Sequence, residues 1–521
     1  MNNYTDSFNP ATEEFLSKTI LNTAEDVKYY AEKAESAQTI WQKYPVSRRI
    51  KHILKIREYI VEHAEYISEI ISKDNGKTKI DALATEVTPA AMAISYYCSN
   101  AEKFLSEKRL RAGNLFLINK RSKIFRVPFG VVGIISPWNY PFSIPLSEVV
   151  MALLAGNGVI LKAASETQMV AKQLKNAVDK AELPDGLFAI INLPGRIAGD
   201  AFLESGINKL FFTGSVGVGK YLMKKAADTL TPVSLELGGN DAMIVCDDAD
   251  PYRAAMGALW AGFQNAGQSC GGVERIYVHE KVYNDFMIIL KDKIENLRIG
   301  CGIDYDSDMG CMTTKKQIEL VHNHVKEALD KGAKIFAQSI NTPQNSKGYF
   351  IPAMVITDVN HNMLLMKDET FGPVVGVMKF KNYNEAINLA NDSYLGLTAS
   401  VWSKNNRKAE KIARQIKAGA VTINDHLMSH GLAETPWGGF KQSGIGRTHS
   451  KLGFDEMTQP MVIVKDILPF VKRNLWWHPF SKELFDGLLG LTNLLYNKKL
   501  NKKLNGTFSL LKLLPRIFIK E

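Results

Sequence analysis

Apolar residues recur at helical spacing in AEDVKYYAEKAESAQTIWQKY and RRIKHILKIREYIVEHAEYISEIISKD, with charges on the outer face. Residues 24–110 therefore read mostly as helices. The stretch NLFLINKRSKIFRVPFG then reads as a pair of strands jutting out between domains. Short apolar runs follow: GVVGIIS, GVILKAA, LFAIINL, KLFFTGS and DAMIVCD. Helical stretches separate most of them, which predicts a mostly parallel sheet with helices on both faces. The alternation resumes after residue 273 with VERIYVHE, KIFAQSI, VVGVMKF and TASVWS. The chain divides into two α/β halves with a seam near Gly238–Gly239, and it carries no repeat. At its end Leu484, Leu488, Leu491 and Leu495 form the stripe of an amphipathic helix. Trp476 and Trp477 precede that helix, and the pairs Lys498–Lys499 and Lys502–Lys503 follow it.

With 521 residues the chain can fill two or more cores. Its 45% apolar and 23% charged content is that of a globular protein. Cys98, Cys246, Cys270, Cys301 and Cys311 are few and not in CxxC spacing, which argues against a disulfide framework or a cysteine metal site and for a reducing, cytoplasmic setting. The opening MNNYTDSFNPATEEF has neither a basic nor an apolar leader segment, so no secretory signal is expected. The uncharged run from Val127 to Ser147 contains four prolines and cannot be a regular spanning helix. The net charge of +10 is uneven: Asp466–Glu521 holds ten Lys/Arg against four Asp/Glu, so only +4 remains for the rest. A nearly balanced body excludes a nucleic-acid groove and leaves a basic tail.

Four segments carry candidate chemistry. KLFFTGSVGVGKYLMKKAADTL reads as strand, tight turn and helix, in which Gly214, Ser215 and Gly219 let backbone N–H groups approach a pyrophosphate. A turn that merely needs positive φ accounts for these glycines equally well. Gly214 to Lys220 matches the triphosphate loop, but Tyr221 stands where its hydroxyl would hold Mg²⁺. A G-x-G-x-x-G pattern opening at Gly217 ends on Leu222 instead of glycine. In TPVSLELGGNDAMIV a strand ends at Glu236, opposite in direction to Leu235 and Leu237. Burial there raises a carboxyl towards general-base range, whereas a buried helix-capping glutamate is the blander reading. Asp250–Pro251 starts a helix that should stop near Gly267, so Cys270 follows a helix C-terminus. That pole does not lower a thiol's pKa, and activation must come from a base or a cofactor charge. ISPWNYPFSIP places Asn139 in a proline-bracketed loop, able to donate to an oxyanion or simply to make a turn.

Taken in order, PWNYP, LKAASET, FTGSVGVG, LELGG, GQSC, ETFGPV, NDSYLGLTASVW and PWGGFKQSGIGR resemble the aldehyde dehydrogenase superfamily from about residue 5 to 465. The 34-residue gap from Glu236 to Cys270 is also that family's. The resemblance implies two Rossmann-like open-sheet domains, one for the cofactor (1–110 and 129–238) and one catalytic (239–454). It adds a β-hairpin oligomerisation arm (111–128 and 455–465), ahead of an extra C-terminal amphipathic helical tail (466–521). It makes Cys270 the nucleophile, Glu236 the general base and Asn139 the oxyanion donor. Cofactor contacts fall on Trp138, Lys162, Ser165, Gly214, Ser215, Gly219, Leu237, Glu369 and Phe371, with no metal. The implied reaction is NAD- or NADP-dependent oxidation of an aldehyde to the acid through a cysteine thioester, in a homodimer or homotetramer.

Ser165 stands where NAD-preferring members often carry a ribose-binding glutamate, so acceptance of NADP⁺ as well as NAD⁺ is expected. The tail's longest uncharged run, Gly487–Asn497, is too short to span a bilayer. It can lie on an anionic membrane at the inner face, which would favour long-chain aliphatic aldehydes, or pack on the body or a subunit interface. Specificity is expected from Tyr140, Trp260, Phe263 and the His426–His430 stretch. Three other readings stay open: a CoA-acylating semialdehyde dehydrogenase, a non-catalytic binding protein on the same fold, and a cysteine hydrolase, which would need a histidine absent from these motifs.

Overall fold

The computed structural model describes residues 3–303, 305–343 and 347–518. Parts of the expected segments at 1–2, 304, 344–346 and 519–521 lie outside the described residues. The chain forms two units, residues 1–106 with 126–459, and residues 107–125 with 460–521.

The larger unit is built on two mainly parallel sheets. In the six-stranded sheet Val131–Ile135 lies between Gly158–Lys162 and Lys209–Thr213. Residue alternation explains its two covered faces. Val132, Ile134, Val159, Leu161 and Phe211 pack into one apolar cluster, with helices Val46–Glu62, Thr88–Leu105 and Ser143–Ala155. Val131, Ile135, Ile160, Leu210 and Phe212 pack into another, with Ala24–Trp41 and Gly195–Glu204. All thirteen residues of Ser143–Ala155 are buried. That helix ends at Gly156, whose φ of 97° favours a residue without a Cβ. The seven-stranded sheet holds the third cluster and is parallel except for its edge strand Lys334–Gln338.

The expected seam near Gly238–Gly239 falls between strands of different sheets: Val233–Glu236 closes one and Asp241–Val245 opens the other. The seam is not absolute, because the two-residue strand Gly444–Ile445 returns to pair antiparallel with Leu235 and Glu236. This pairing fixes the end of the strand that carries Glu236.

In the smaller unit the expected strand pair is shifted. Residues Leu115–Leu117 form a 3₁₀ turn, and the partner of Lys120–Pro128 is Lys108–Leu110, in a sheet completed by Thr458–Asp466. Residues 455–456, expected in a strand, end the helix Ser450–Glu456. The tail has two helices rather than one, Lys482–Tyr496 and Leu500–Leu511, packed on each other. Among the described residues no helix is long and apolar enough to cross a membrane.

Candidate active site

Cys270 lies where three spaces meet. The first is an apolar pocket of about 790 Å³. The second is an inner cavity that also reaches Glu236. The third is a cleft of about 930 Å³ lined by Trp138, Asn139, Gly214, Ser215, Glu236, Leu237, Glu369 and Phe371. Segments far apart in the chain thus converge on one sulfur.

The loop holding Cys270 is built differently from the expectation. The preceding helix, Pro251–Phe263, starts as predicted, with Asp250 accepting from the N–H groups of Tyr252 and Arg253. It stops at Phe263 rather than near Gly267. Asn265, Ala266 and Gly267 then all take left-handed backbone, with φ of 51°, 52° and 70°. Tertiary hydrogen bonds explain the early stop. The Asn265 N–H donates to Asp81 at 3.1 Å, and its amide donates to the Asn139 carbonyl at 2.9 Å. Non-glycine residues in this region are strained and persist only where the surroundings over-determine them.

Asn139 is held from the same network. Its Nδ2 donates to the Gln268 carbonyl at 3.0 Å, which leaves one N–H of the amide uncommitted. Its own carbonyl accepts from Lys77 Nζ at 2.8 Å. Lys77 is fully buried and paired with Glu86 at 2.7 Å. Glu86 in turn accepts from the N–H groups of Phe142 and Ser143. This buried pair, which sequence reasoning missed, clamps both ends of the loop.

The electrostatics disfavour a resting thiolate. Burial pushes the Cys270 thiol up, and the carboxyls of Glu369, Asp241 and Glu236 push it the same way. Glu236 closes its strand buried, with Oε2 unpartnered. Desolvation and the neighbouring Glu148 raise its pKa well above the usual carboxyl range, opposed by Arg447. Glu148, also missed, is the acidic residue of the buried helix Ser143–Ala155 and has one unpartnered oxygen. Burial lifts it to about 8. Of a facing histidine pair, His430 was expected near the site and His449 was missed. His430 lines two of the spaces around Cys270, and His449 accepts or donates at 2.6 Å to the Tyr97 hydroxyl. Burial lowers these imidazoles to about 4 and about 3, so they are neutral at pH 7. Among the described residues no imidazole hydrogen-bonds the sulfur, which removes the pairing a cysteine hydrolase needs.

The cleft fits a dinucleotide. Ser215 caps the helix Val216–Ala226, whose N-terminus offers backbone donors to an anion. Trp138 and Phe371 make an edge-to-face pair 5.6 Å apart. Glu274 sets Phe371 in position by accepting from the Thr370 and Phe371 N–H groups. Glu369 accepts from Gly239 N–H at 2.9 Å and is raised to about 7 by burial. Lys162 ends its strand buried, with no hydrogen-bond partner for its ammonium among the described residues, as suits a cation awaiting an acceptor. Lys162, Ser165 and Gly219 are not among the residues lining the cleft. A Cβ at Gly219 would meet Leu237 at 2.6 Å, so this glycine lets helix and strand end approach. Lys316 and Gln317 do line the cleft and were not foreseen. Of the residues expected to set specificity, Tyr140, Trp260 and His430 line the apolar pocket. Phe263 is core instead, and His426 is buried against the Gly271 carbonyl.

Two mainly parallel sheets, with a cysteine between a cleft that meets a helix N-terminus and an apolar pocket, define a class of dehydrogenase fold. The family model of the aldehyde dehydrogenase family matches residues 2–463, and the chain belongs to that family. It is 35% identical over 466 residues to a 4,4'-diapolycopene aldehyde oxidase of Methylomonas sp, covering 89% of this chain and 86% of that one. It is also 35% identical, over 85% of each chain, to a Mycobacterium ulcerans protein provisionally named succinate-semialdehyde dehydrogenase (NADP(+)) 2. Among solved structures, the NAD+ complex of an aldehyde dehydrogenase from Bacillus cereus superposes with a TM-score of 0.84 at 32% identity, over 89% of this chain and 93% of that one.

Proposed function

We propose that this protein oxidises an aldehyde to its carboxylic acid, with NAD⁺ or NADP⁺ as hydride acceptor and Cys270 as nucleophile. The observation that carries this reading is the meeting of cleft, pocket and inner cavity at one sulfur, with Glu236 lining two of the three. Cys270 Sγ attacks the aldehyde carbon, and its proton passes to Glu236 or to water. The uncommitted N–H of Asn139 and the Cys270 backbone N–H stabilise the oxyanion. The nicotinamide, when bound, supplies the hydride acceptor. Trp138 and Phe371 would offer apolar contact to its ring, Glu369 would hold its ribose, and Lys162, Ser165, Gly214, Ser215, Gly219 and Leu237 would hold the rest. Glu236 then takes a proton from water, and hydroxide attack on the thioester releases the acid. In this division the six-stranded sheet serves the cofactor and the seven-stranded sheet supplies Cys270. A base beside the sulfur favours water over CoA as acyl acceptor. The test is NAD(P)H formation over an aldehyde panel with and without CoA; acid as product is expected. Acyl-CoA as the main product would overturn hydrolysis, and no NAD(P)H with any aldehyde would overturn the reading.

A second surface bears on location. In the tail hairpin Gly487, Gly490 and Gly506 are buried together with Leu484 and Leu510, while Phe485, Leu489, Leu504 and Phe508 are exposed. Glycines let the two backbones approach, as Gly490 and Gly506 do. Lys498, Lys499, Lys502 and Lys503 crowd the N-terminus of Leu500–Leu511, where cations oppose the helix dipole unless an anion lies near. An anionic lipid surface answers both features, and we infer a cytoplasmic protein held peripherally at the inner face of a membrane. Full-length protein is expected to co-sediment with anionic but not zwitterionic vesicles and to lose binding on Phe485→Ser with Phe508→Ser. Binding to neither vesicle contradicts this. The exposed strand Thr458–Asp466, open along 461–464, supports a homodimer or homotetramer, which sedimentation velocity tests.

A further inference from the structure

We infer that the site takes aldehydes carried on an uncharged, apolar chain and discriminates against those bearing a second, distal carboxylate. The inference rests on the aldehyde-oxidation reading and concerns the pocket of about 790 Å³ that leads to Cys270. Its walls are made by Met92, Ile144, Trp260, Leu427, Met428 and Trp437. Among the described residues no Lys, Arg, Asp or Glu lines it. Its polar members offer no charge. Thr85, Thr88 and Ser269 carry neutral hydroxyls, Tyr140 Oη accepts from Gln264 Nε2 at 2.5 Å, and burial keeps His430 neutral. The nearest buried cation, Lys77, sits behind the Tyr140 ring, 4.2 Å from its centroid, and is consumed by Glu86 and the Asn139 carbonyl. A carboxylate drawn into this space would leave water and meet no cation, only neutral hydroxyls and amides, which is costly; an alkyl or polyene chain loses only apolar hydration.

The mouth points the same way. Met92, Trp260 and Met428 stand there 53%, 42% and 41% exposed, large apolar groups that a water-facing rim for a charged substrate would not present. Two methionines, with unbranched and polarisable side chains, suit apolar substrates of varied shape. Cations occur instead on the opposite side of the sulfur, where Lys316 lines the cofactor cleft.

The experiment uses full-length protein with saturating NAD⁺ and, separately, NADP⁺. It compares kcat/KM for straight alkanals of rising length with ω-carboxylated aldehydes of matched length. We expect a rise of roughly threefold to fourfold per added methylene until the pocket fills, and at least a hundredfold deficit for each carboxylated partner. Met92→Arg, at the exposed rim, should recover about tenfold for the carboxylated aldehydes while lowering the alkanals. Parity of the two series in the native protein overturns this inference alone, as does an unchanged preference in Met92→Arg. Absence of NAD(P)H with every aldehyde overturns it together with the oxidation reading beneath it.

Discussion

The two sides of Cys270 are built from opposite materials. On the cofactor side lie Glu369, Lys316, the helix N-terminus at Ser215 and the Trp138–Phe371 pair. On the acyl side lie Met92, Ile144, Trp260 and Trp437, with neutral His430. The thiol between them feels burial and three carboxyls, every one of which holds its proton on. Nothing on the acyl side can reverse that, so activation is left to what binds on the cofactor side. Alkylation of Cys270 by iodoacetamide is therefore expected to be slow in the free protein and faster with NAD(P)⁺ present.

The strongest way to break this comparison is to remove the group at its centre. Cys270→Ala should lose at least roughly a thousandfold in aldehyde oxidation while still binding NAD(P)⁺, read by tryptophan quenching. Asn139→Ala acts on the oxyanion and should cost about 10²–10³ in kcat, with the rate of cysteine alkylation little changed. Glu148→Gln acts more gently. A Glu148 charge raises the pKa of Glu236, which in the proposed reaction works deprotonated, so removing it should move the acidic limb of kcat to lower pH. Stability gives the matching sign. The folded state holds a proton on Glu148 between the ordinary carboxyl range and about 8, so stability falls as pH rises through that window. Glu148→Gln should flatten that fall in urea denaturation at several pH values. The smallest effect belongs to Ser165→Glu, expected to lower kcat/KM for NADP⁺ about tenfold relative to NAD⁺ through repulsion of the 2′-phosphate.

What could be read from the chain alone was what local pattern dictates. Short apolar runs located most strands of both sheets, and short turn motifs pointed to Cys270, Glu236, Asn139 and Gly214, which line one cleft. Where distant segments decide, local pattern failed. The helix before Cys270 ends at Phe263 because Asp81 and Asn139 capture Asn265, not because of the glycine at 267. His449 meets Tyr97 across 352 positions of sequence, and no short window holds that information. Glu148 is one acid in an apolar stretch of sequence, and only packing near Glu236 gives it a consequence. In the tail a leucine stripe was legible, but the second helix and the glycine seam were not, since glycines and lysines read locally as breakers and solvent-facing charge.

In the proposed reaction Cys270 carries the acyl group and Glu236 releases it. Glu236→Gln, mixed with NAD(P)⁺ and one aldehyde, separates these steps. A burst of NAD(P)H approaching one per active site is expected, followed by turnover slowed about a hundredfold or more. Peptide mass spectrometry of the quenched protein should find the acyl group on Cys270. A burst with the adduct on another residue, or steady turnover equal to the native protein, would contradict it.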